Sequence, residues 1–227
     1  MITMTMKRFL FTLVIACSAT VGRAAEVSAE LTIPYTSAYT FRGAKIADAS
    51  IQPGLTLGYG GATVSAWSSQ PTDRTQDPEF DFGAGYAVEW SAFTLDAGLT
   101  AYYYPGLGSS ATTWEPYLGV SRSFGSLDIG MRVYYDWTLD VATYEATLSR
   151  SIDLAENLSV SFGVAAGTVR PRDRTIDGYT YWSGTVELAY ALGGPSTVFA
   201  GFGYTSSDER AIERGITSFT GGLRFAF

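Results

Sequence analysis

The last ten residues, Ser218-Phe219-Thr220-Gly221-Gly222-Leu223-Arg224-Phe225-Ala226-Phe227, put apolar side chains on odd positions and polar or small ones on even positions. A period of two belongs to a strand with two unlike faces, and a helix of period 3.6 cannot present it. Phe219, Leu223, Phe225 and Phe227 cover one side; Ser218, Thr220, Gly222, Arg224 and Ala226 cover the other. The same alternation recurs along the rest of the chain, so the expected fold is all-β.

Residues 27–42 read as a first strand, with Val27, Ala29, Leu31, Ile33, Tyr35, Tyr39 and Phe41 opposite Glu30, Thr32, Thr36, Thr40 and Arg42. Further strands follow around 51–59, 62–66, 80–88, 93–103, 114–120, 127–137, 142–148, 158–166, 182–190 and 198–204, and the terminal strand brings the number to about twelve. Gly60-Gly61 suits a two-residue hairpin turn because glycine accepts positive φ. Connections after even strands are short, whereas those at 69–78, 171–178 and 206–215 are longer and more charged. The connection at 138–141 is short despite its side.

Alternation alone also fits a soluble sandwich. The polar faces decide against it: once the N-terminal segment is removed only Lys45 remains as lysine, and the faces are mostly Gly, Ser and Thr with scattered acids, which suits a lumen better than a solvent-facing surface. Each apolar face has the length that a tilted strand needs to cross a bilayer. Tyr35, Tyr59, Tyr86, Trp90, Tyr103, Trp114, Trp137, Tyr190 and Tyr204 fall toward strand ends, where aromatic girdles belong. The expectation is a transmembrane antiparallel up-and-down β-barrel of about twelve strands over residues 26–227.

Residues 1–25 read as a secretory signal peptide: Lys7-Arg8 precede the apolar run from Phe9 to Ala16, and Gly22, Ala24 and Ala25 offer a small-residue cleavage site. Val14-Ile15-Ala16-Cys17 also loosely resembles a lipoprotein processing site. Cys17 is the one cysteine, so neither a disulfide nor a thiolate metal site is expected in the mature chain. Cleavage takes three basic residues and no acid from 15 basic and 22 acidic, and nucleic acid is then a poor partner.

With no histidine in the sequence, catalysis by a Ser–His or Asp–His pair has no base, and imidazole metal sites have no ligand. Paired carboxylates remain, but Asp128 and Asp136, eight residues apart on one strand face, are too distant for glycosidase chemistry. No enzyme, metal or cofactor is expected. Gly54, Gly58, Gly83, Gly85, Gly98, Gly163, Gly201 and Gly203 face inward and keep the interior open. Arg170, Arg172 and Arg174, interspersed with Asp173 and Asp177, form either a solvated loop or a contact for lipopolysaccharide phosphate.

The terminal strand ending in Phe227 resembles the assembly signal of bacterial outer-membrane barrels, with Phe219, Leu223, Phe225 and Phe227 as its apolar positions. The segments Tyr39-Thr40-Phe41-Arg42-Gly43, Ile51-Gln52-Pro53-Gly54, Trp67-Ser68-Ser69 and Leu95-Asp96-Ala97-Gly98, with Tyr103-Tyr104-Pro105 and Glu115, resemble the porin family labelled TorF over most of the mature chain. The resemblance implies a Gram-negative outer-membrane barrel and leaves the solute open. Its partners would be the lipid bilayer, lipopolysaccharide, the barrel assembly machinery and small solutes.

The expected pore-lining residues are Arg42, Asp81, Asp96, Glu115, Asp128, Arg132, Asp136, Glu145, Glu187 and Arg224. Arg132 is expected among Glu115, Asp128, Asp136 and Glu145, with Tyr117 and Thr147 opposite. With Glu30 and Glu79 added, the inner faces carry more acids than bases, which points to a cation-preferring passive channel. Inner-face Tyr102, Tyr104, Tyr117, Tyr134, Tyr179 and Tyr181 would narrow it, so a closed, non-conducting barrel serving as scaffold or surface-interaction protein is the alternative.

Overall fold

Alternation along the chain becomes a sheet that closes on itself. The computed structural model describes residues 27–173, 175–209 and 215–227; the expected leader lies outside them. The strands are β1 (Val27–Thr36), β2 (Tyr39–Phe41), β3 (Ala44–Ala47), β4 (Ser50–Ile51), β5 (Gly54–Tyr59), β6 (Ala62–Pro71), β7 (Glu79–Trp90), β8 (Phe93–Tyr103), β9 (Thr112–Phe124), β10 (Leu127–Asp136), β11 (Val141–Ala155), β12 (Leu158–Pro171), β13 (Tyr179–Gly193), β14 (Ser196–Ser207) and β15 (Ile216–Ala226). β4 and β5 are two halves of one crossing, interrupted at Gln52-Pro53, where a proline without an N–H does least harm. The barrel therefore has twelve antiparallel strands, as expected.

β15 pairs with β1 from Glu30↔Ala226 to Thr36↔Thr220. Phe227 extends the seam, its amide donating to the Ala29 carbonyl at 2.9 Å and its carbonyl accepting from the Ala29 amide at 3.1 Å. No helix among the described residues is long and apolar enough to cross a membrane, and the crossing elements are these strands. The outer face is apolar: Leu118 is 69% exposed, Met131 62% and Phe202 60%. Such a face suits hydrocarbon and is costly in water. Outward rings pair across strands, as in Trp182–Tyr204 at 5.0 Å and Phe202–Phe219 at 5.4 Å between centroids.

One rim carries two-residue turns at 60–61, 91–92, 125–126, 156–157 and 194–195. The twist-matching turn requires positive φ, and Gly60 (57°), Gly61 (87°) and Ser91 (58°) adopt it. The opposite rim carries the longer loops. Two of them repeat one motif a hundred residues apart, Pro71-Thr72-Asp73-Arg74-Thr75-Gln76-Asp77 and Pro171-Arg172-Asp173-Arg174-Thr175-Ile176-Asp177. In each the Thr amide (2.9 Å) and hydroxyl (2.8 Å) donate to the first Asp carboxylate. These bonds hold the Asp73 carboxyl below its ordinary value.

The first strand differs from expectation. β1 stops at Thr36, and residues 39–47 form a separate two-stranded hairpin, so Tyr39, Phe41 and Arg42 do not belong to the barrel wall. The bend is fastened by the Ser37 amide donating to the Phe219 carbonyl at 2.8 Å and the Phe219 amide to the Ser37 hydroxyl at 2.9 Å.

On the inner wall, rings lie flat over glycines. The Tyr117 ring covers Gly98, where a Cβ would come within 2.5 Å of Tyr117 Cε1 and 2.7 Å of the Ala84 carbonyl oxygen. Gly98→Ala must therefore displace ring or backbone, and is expected to destabilise the refolded barrel by about 1–3 kcal/mol in denaturant unfolding.

Candidate functional site

The β2–β3 hairpin lies across the lumen on the loop side. Its tip is Arg42 (φ 41°) and Gly43 (φ 83°), and a Cβ on Gly43 would lie 2.7 Å from the Cβ atoms of both Tyr181 and Ser207. Only glycine fits that turn against the β13–β14 wall. At the other end Tyr39 and Phe41 pack with Tyr102, Trp67 and Tyr104, the Tyr39 and Trp67 ring centroids being 5.4 Å apart. The hairpin thus touches walls on opposite sides of the barrel. Its return limb is tied to the loop at 72–78: Lys45 Nζ lies 2.6 Å from Asp48 Oδ1, and the Gln76 amide nitrogen donates to Asp48 Oδ2 at 2.7 Å. The Lys45 and Gln76 contacts hold the Asp48 carboxyl below its ordinary value.

Arg42 is the anchor. Its two terminal nitrogens donate to Glu115 at 2.8 and 2.9 Å, and both side chains are 4% exposed. Tyr102 adds a hydroxyl bond to Glu115 at 3.0 Å, and the guanidinium carbon sits 4.6 Å from the centroids of both the Phe41 and Tyr134 rings. A bidentate, buried pair of this kind fixes orientation, and removing one partner strands the other at a cost of about 3–5 kcal/mol.

The other expected residues are distributed rather than clustered. Arg132 stands opposite Gly119 and Glu145, not Tyr117 and Thr147, because the turn at 125–126 pairs Leu127 with Phe124 and the turn at 137–140 pairs Asp136 with Val141. Its guanidinium reaches over Gly119 to Asp96 at 3.1 Å, through a space that a Cβ on Gly119 would fill. Glu145 accepts instead from the hydroxyls of Tyr181 at 2.6 Å and Tyr134 at 3.4 Å. Asp136 is buried at the loop rim, where its carboxylate accepts the Thr138 and Leu139 amides at 2.8 and 2.7 Å and fastens the short turn. Asp128 lies exposed near the opposite rim beside Ser123. The expected cluster of Arg132 with four carboxylates is therefore not formed. Register moved Arg132 by two positions, and the hairpin's Arg42 took Glu115.

Farther round, Arg224 pairs with Glu187 at 3.2 Å and stacks 4.9 Å over Phe199. Asp81 is buried, as is Glu79, which accepts from the Tyr104 hydroxyl at 2.6 Å. Phe219, Leu223 and Phe227 face outward on the closing strand and its end, as expected. In the loop nearby, Arg172 approaches Asp140 at 3.9 Å, whereas Arg174 lies outside the described residues. No group of three or more Asp, Glu, His or Cys fit to hold a metal occurs among the described residues.

These contacts divide the lumen into two halves. Around and above the hairpin Ser69, Tyr102, Thr113, Glu115, Tyr134 and Thr143 are buried. Toward the turn rim Thr63, Ser65, Gly83, Asp96, Thr100 and Arg132 are only half-buried. Glu89, which was not among the expected inner acids, also faces inward there and accepts from the Thr94 hydroxyl at 2.7 Å. The hairpin was missed in the sequence because Tyr39 and Phe41 continue the alternation of β1. The usable signal was Arg42-Gly43, a turn dipeptide that ends a run too long for one crossing.

Among solved structures the barrel is similar to the NanC porin (14% identity, 87% of this chain and 98% of that one, TM-score 0.58). It is similar also to the KdgM porin (12%, 88% and 99%, 0.61) and to the COG4313 outer membrane channel from Pseudomonas putida F1 (11%, 95% and 100%, 0.54). At these identities the likeness is one of fold. No curated protein matches the sequence. Residues 19–220 match the model of a bacterial protein family of unknown function, Gcw_chp, and the chain belongs to that family.

Proposed function

We propose that the protein is an outer-membrane channel through which small hydrophilic solutes or ions diffuse passively, with a preference for cations, and whose conductance the hairpin limits. The observation that carries this reading is a closed barrel whose outer face is apolar and whose inner face is polar and predominantly acidic. Among the described residues three arginines point inward, and each is already paired, Arg42 with Glu115, Arg132 with Asp96 and Arg224 with Glu187. The acids without such partners set the sign of the lumen's field. The shared fold with porins supports the reading, as does the TorF-type resemblance of the Tyr39-Thr40-Phe41-Arg42-Gly43 segment. So does the leader-like N-terminus, which would deliver the chain to the outer membrane, where lipopolysaccharide is its outer-leaflet neighbour. No enzymatic role is proposed. A second reading, a non-conducting scaffold, is favoured by one observation: the hairpin and its tyrosines fill the loop-side half of the barrel.

Bilayer recording of the refolded protein separates the two. Wild type should give a small unitary conductance, and Arg42→Ala or Glu115→Gln, by freeing the hairpin, should raise it by about twofold or more. Silence in the wild type and in both variants favours the scaffold. Across a KCl gradient the reversal potential should report cation selectivity, and Arg132→Ala should increase it by leaving Asp96 unpaired. Anion selectivity, or a shift toward anions in that variant, counts against the assignment. Phe227 would serve as the contact for the barrel assembly machinery while closing the seam with Ala29. Deletion of Phe227 should therefore lower the amount of protein in the outer membrane, measured by fractionation and immunoblotting.

A further inference from the structure

Charge is almost absent from the lipid-facing side of the wall. Among the described residues, the charged side chains that alternation puts on the outer face of the wall strands are Arg122 on β9, Arg150 on β11 and Arg170 on β12, and no acid joins them. Arg170 stands at the loop rim, in register with Ala142. Arg122 and Arg150 stand together at the turn rim, on either side of β10, opposite the outward residues Ile129 and Leu127 respectively. β10 begins at Leu127, so the two arginines flank the end of the β9–β10 hairpin, while β11 runs on to Ala155 with no β10 partner beyond Arg150. The wall is stepped there. Among the described residues neither guanidinium has a hydrogen bond or an acidic partner. The Arg122 guanidinium carbon lies 4.5 Å from the centroid of the Phe124 ring and 5.3 Å from that of Phe93. Stacked against rings that face lipid, it keeps its N–H edge for an acceptor that the protein does not supply.

We propose that Arg122 and Arg150 bind the phosphate of an anionic phospholipid in the leaflet at the turn rim, its acyl chains lying over the exposed side chains of Ile129, Leu148 and Met131. An unpaired arginine is costly in hydrocarbon and tolerated near the interface, so both side chains must reach the headgroup level, where the acceptors are phosphates. A guanidinium suits a two-pronged phosphate contact. Two guanidiniums without a carboxylate favour a headgroup of net negative charge over a zwitterionic one, whose ammonium they repel. The site rests on the placement of the barrel in a membrane and not on conduction, so silence in bilayer recording leaves it standing.

The test is native mass spectrometry of the refolded protein released from neutral detergent micelles that contain phosphatidylglycerol or phosphatidylcholine of identical acyl chains. Wild type is expected to retain one phosphatidylglycerol in preference to phosphatidylcholine. Its apparent affinity should fall about fivefold in Arg122→Gln or Arg150→Gln and about twentyfold or more in the double variant. Arg170→Gln, at the other rim, should leave it unchanged, and an excess of inorganic phosphate should not displace the lipid. Heat-modifiable electrophoretic mobility verifies that each variant is a folded barrel, and if the double variant does not assemble, the two single variants decide. Equal retention of the two lipids by wild type overturns the proposal, as does undiminished retention in the glutamine variants at 122 and 150 or an equal loss in Arg170→Gln. Displacement by inorganic phosphate overturns it in favour of a site for free anions.

Discussion

Everything in this molecule follows from the intolerance of hydrocarbon for an unpaired backbone. A strand edge in lipid leaves N–H and C=O groups without partners, so the sheet must return to its first strand. The β15–β1 seam accomplishes this, extended through Phe227 to the last residue of the chain. Closure then dictates the side chains. With a period of two, every strand offers alternate residues to lipid and to the lumen, which is why Leu118 and Met131 stand exposed while Glu115 and Arg132 point inward.

A closed barrel of twelve strands encloses more space than its inward side chains fill, and the chain uses that space for residues 39–47. The hairpin is held by three kinds of contact with different physics. Aromatic packing of Tyr39 and Phe41 against Trp67 and Tyr102 is non-directional. The Arg42–Glu115 pair is directional and buried, and the Lys45–Asp48 and Gln76–Asp48 contacts are exposed and weak. Loss of Arg42 should therefore matter more than loss of Lys45.

Glycines shape what remains open. Gly98 lets Tyr117 lie along the wall, Gly119 lets Arg132 reach Asp96, and Gly167 lets Tyr181 reach Glu145. In each case a missing Cβ allows a long polar side chain to bridge across the neighbouring strand instead of projecting toward the axis. Charges are thus paired laterally around the wall, and the turn-side half stays accessible to solvent.

Alternation, turn dipeptides and the Gly-, Ser- and Thr-rich faces sufficed to specify twelve strands, their inward and outward faces, the short-turn rim and the acid surplus, because a period of two is a local property of the chain. What they did not specify depended on contacts between residues distant in sequence. A register offset of two positions leaves every side chain on its own face, so the pattern was blind to it, and only the Leu127↔Phe124 pairing fixed Arg132 beside Asp96. The hairpin was hidden for a related reason: an inward-folded strand pair has the same period as the wall it leaves. Whether Tyr39 and Phe41 extended β1 or crossed the lumen was decided by Glu115, Tyr102 and Tyr181, which lie sixty or more residues away from Arg42 in the chain and come within reach only when the barrel closes.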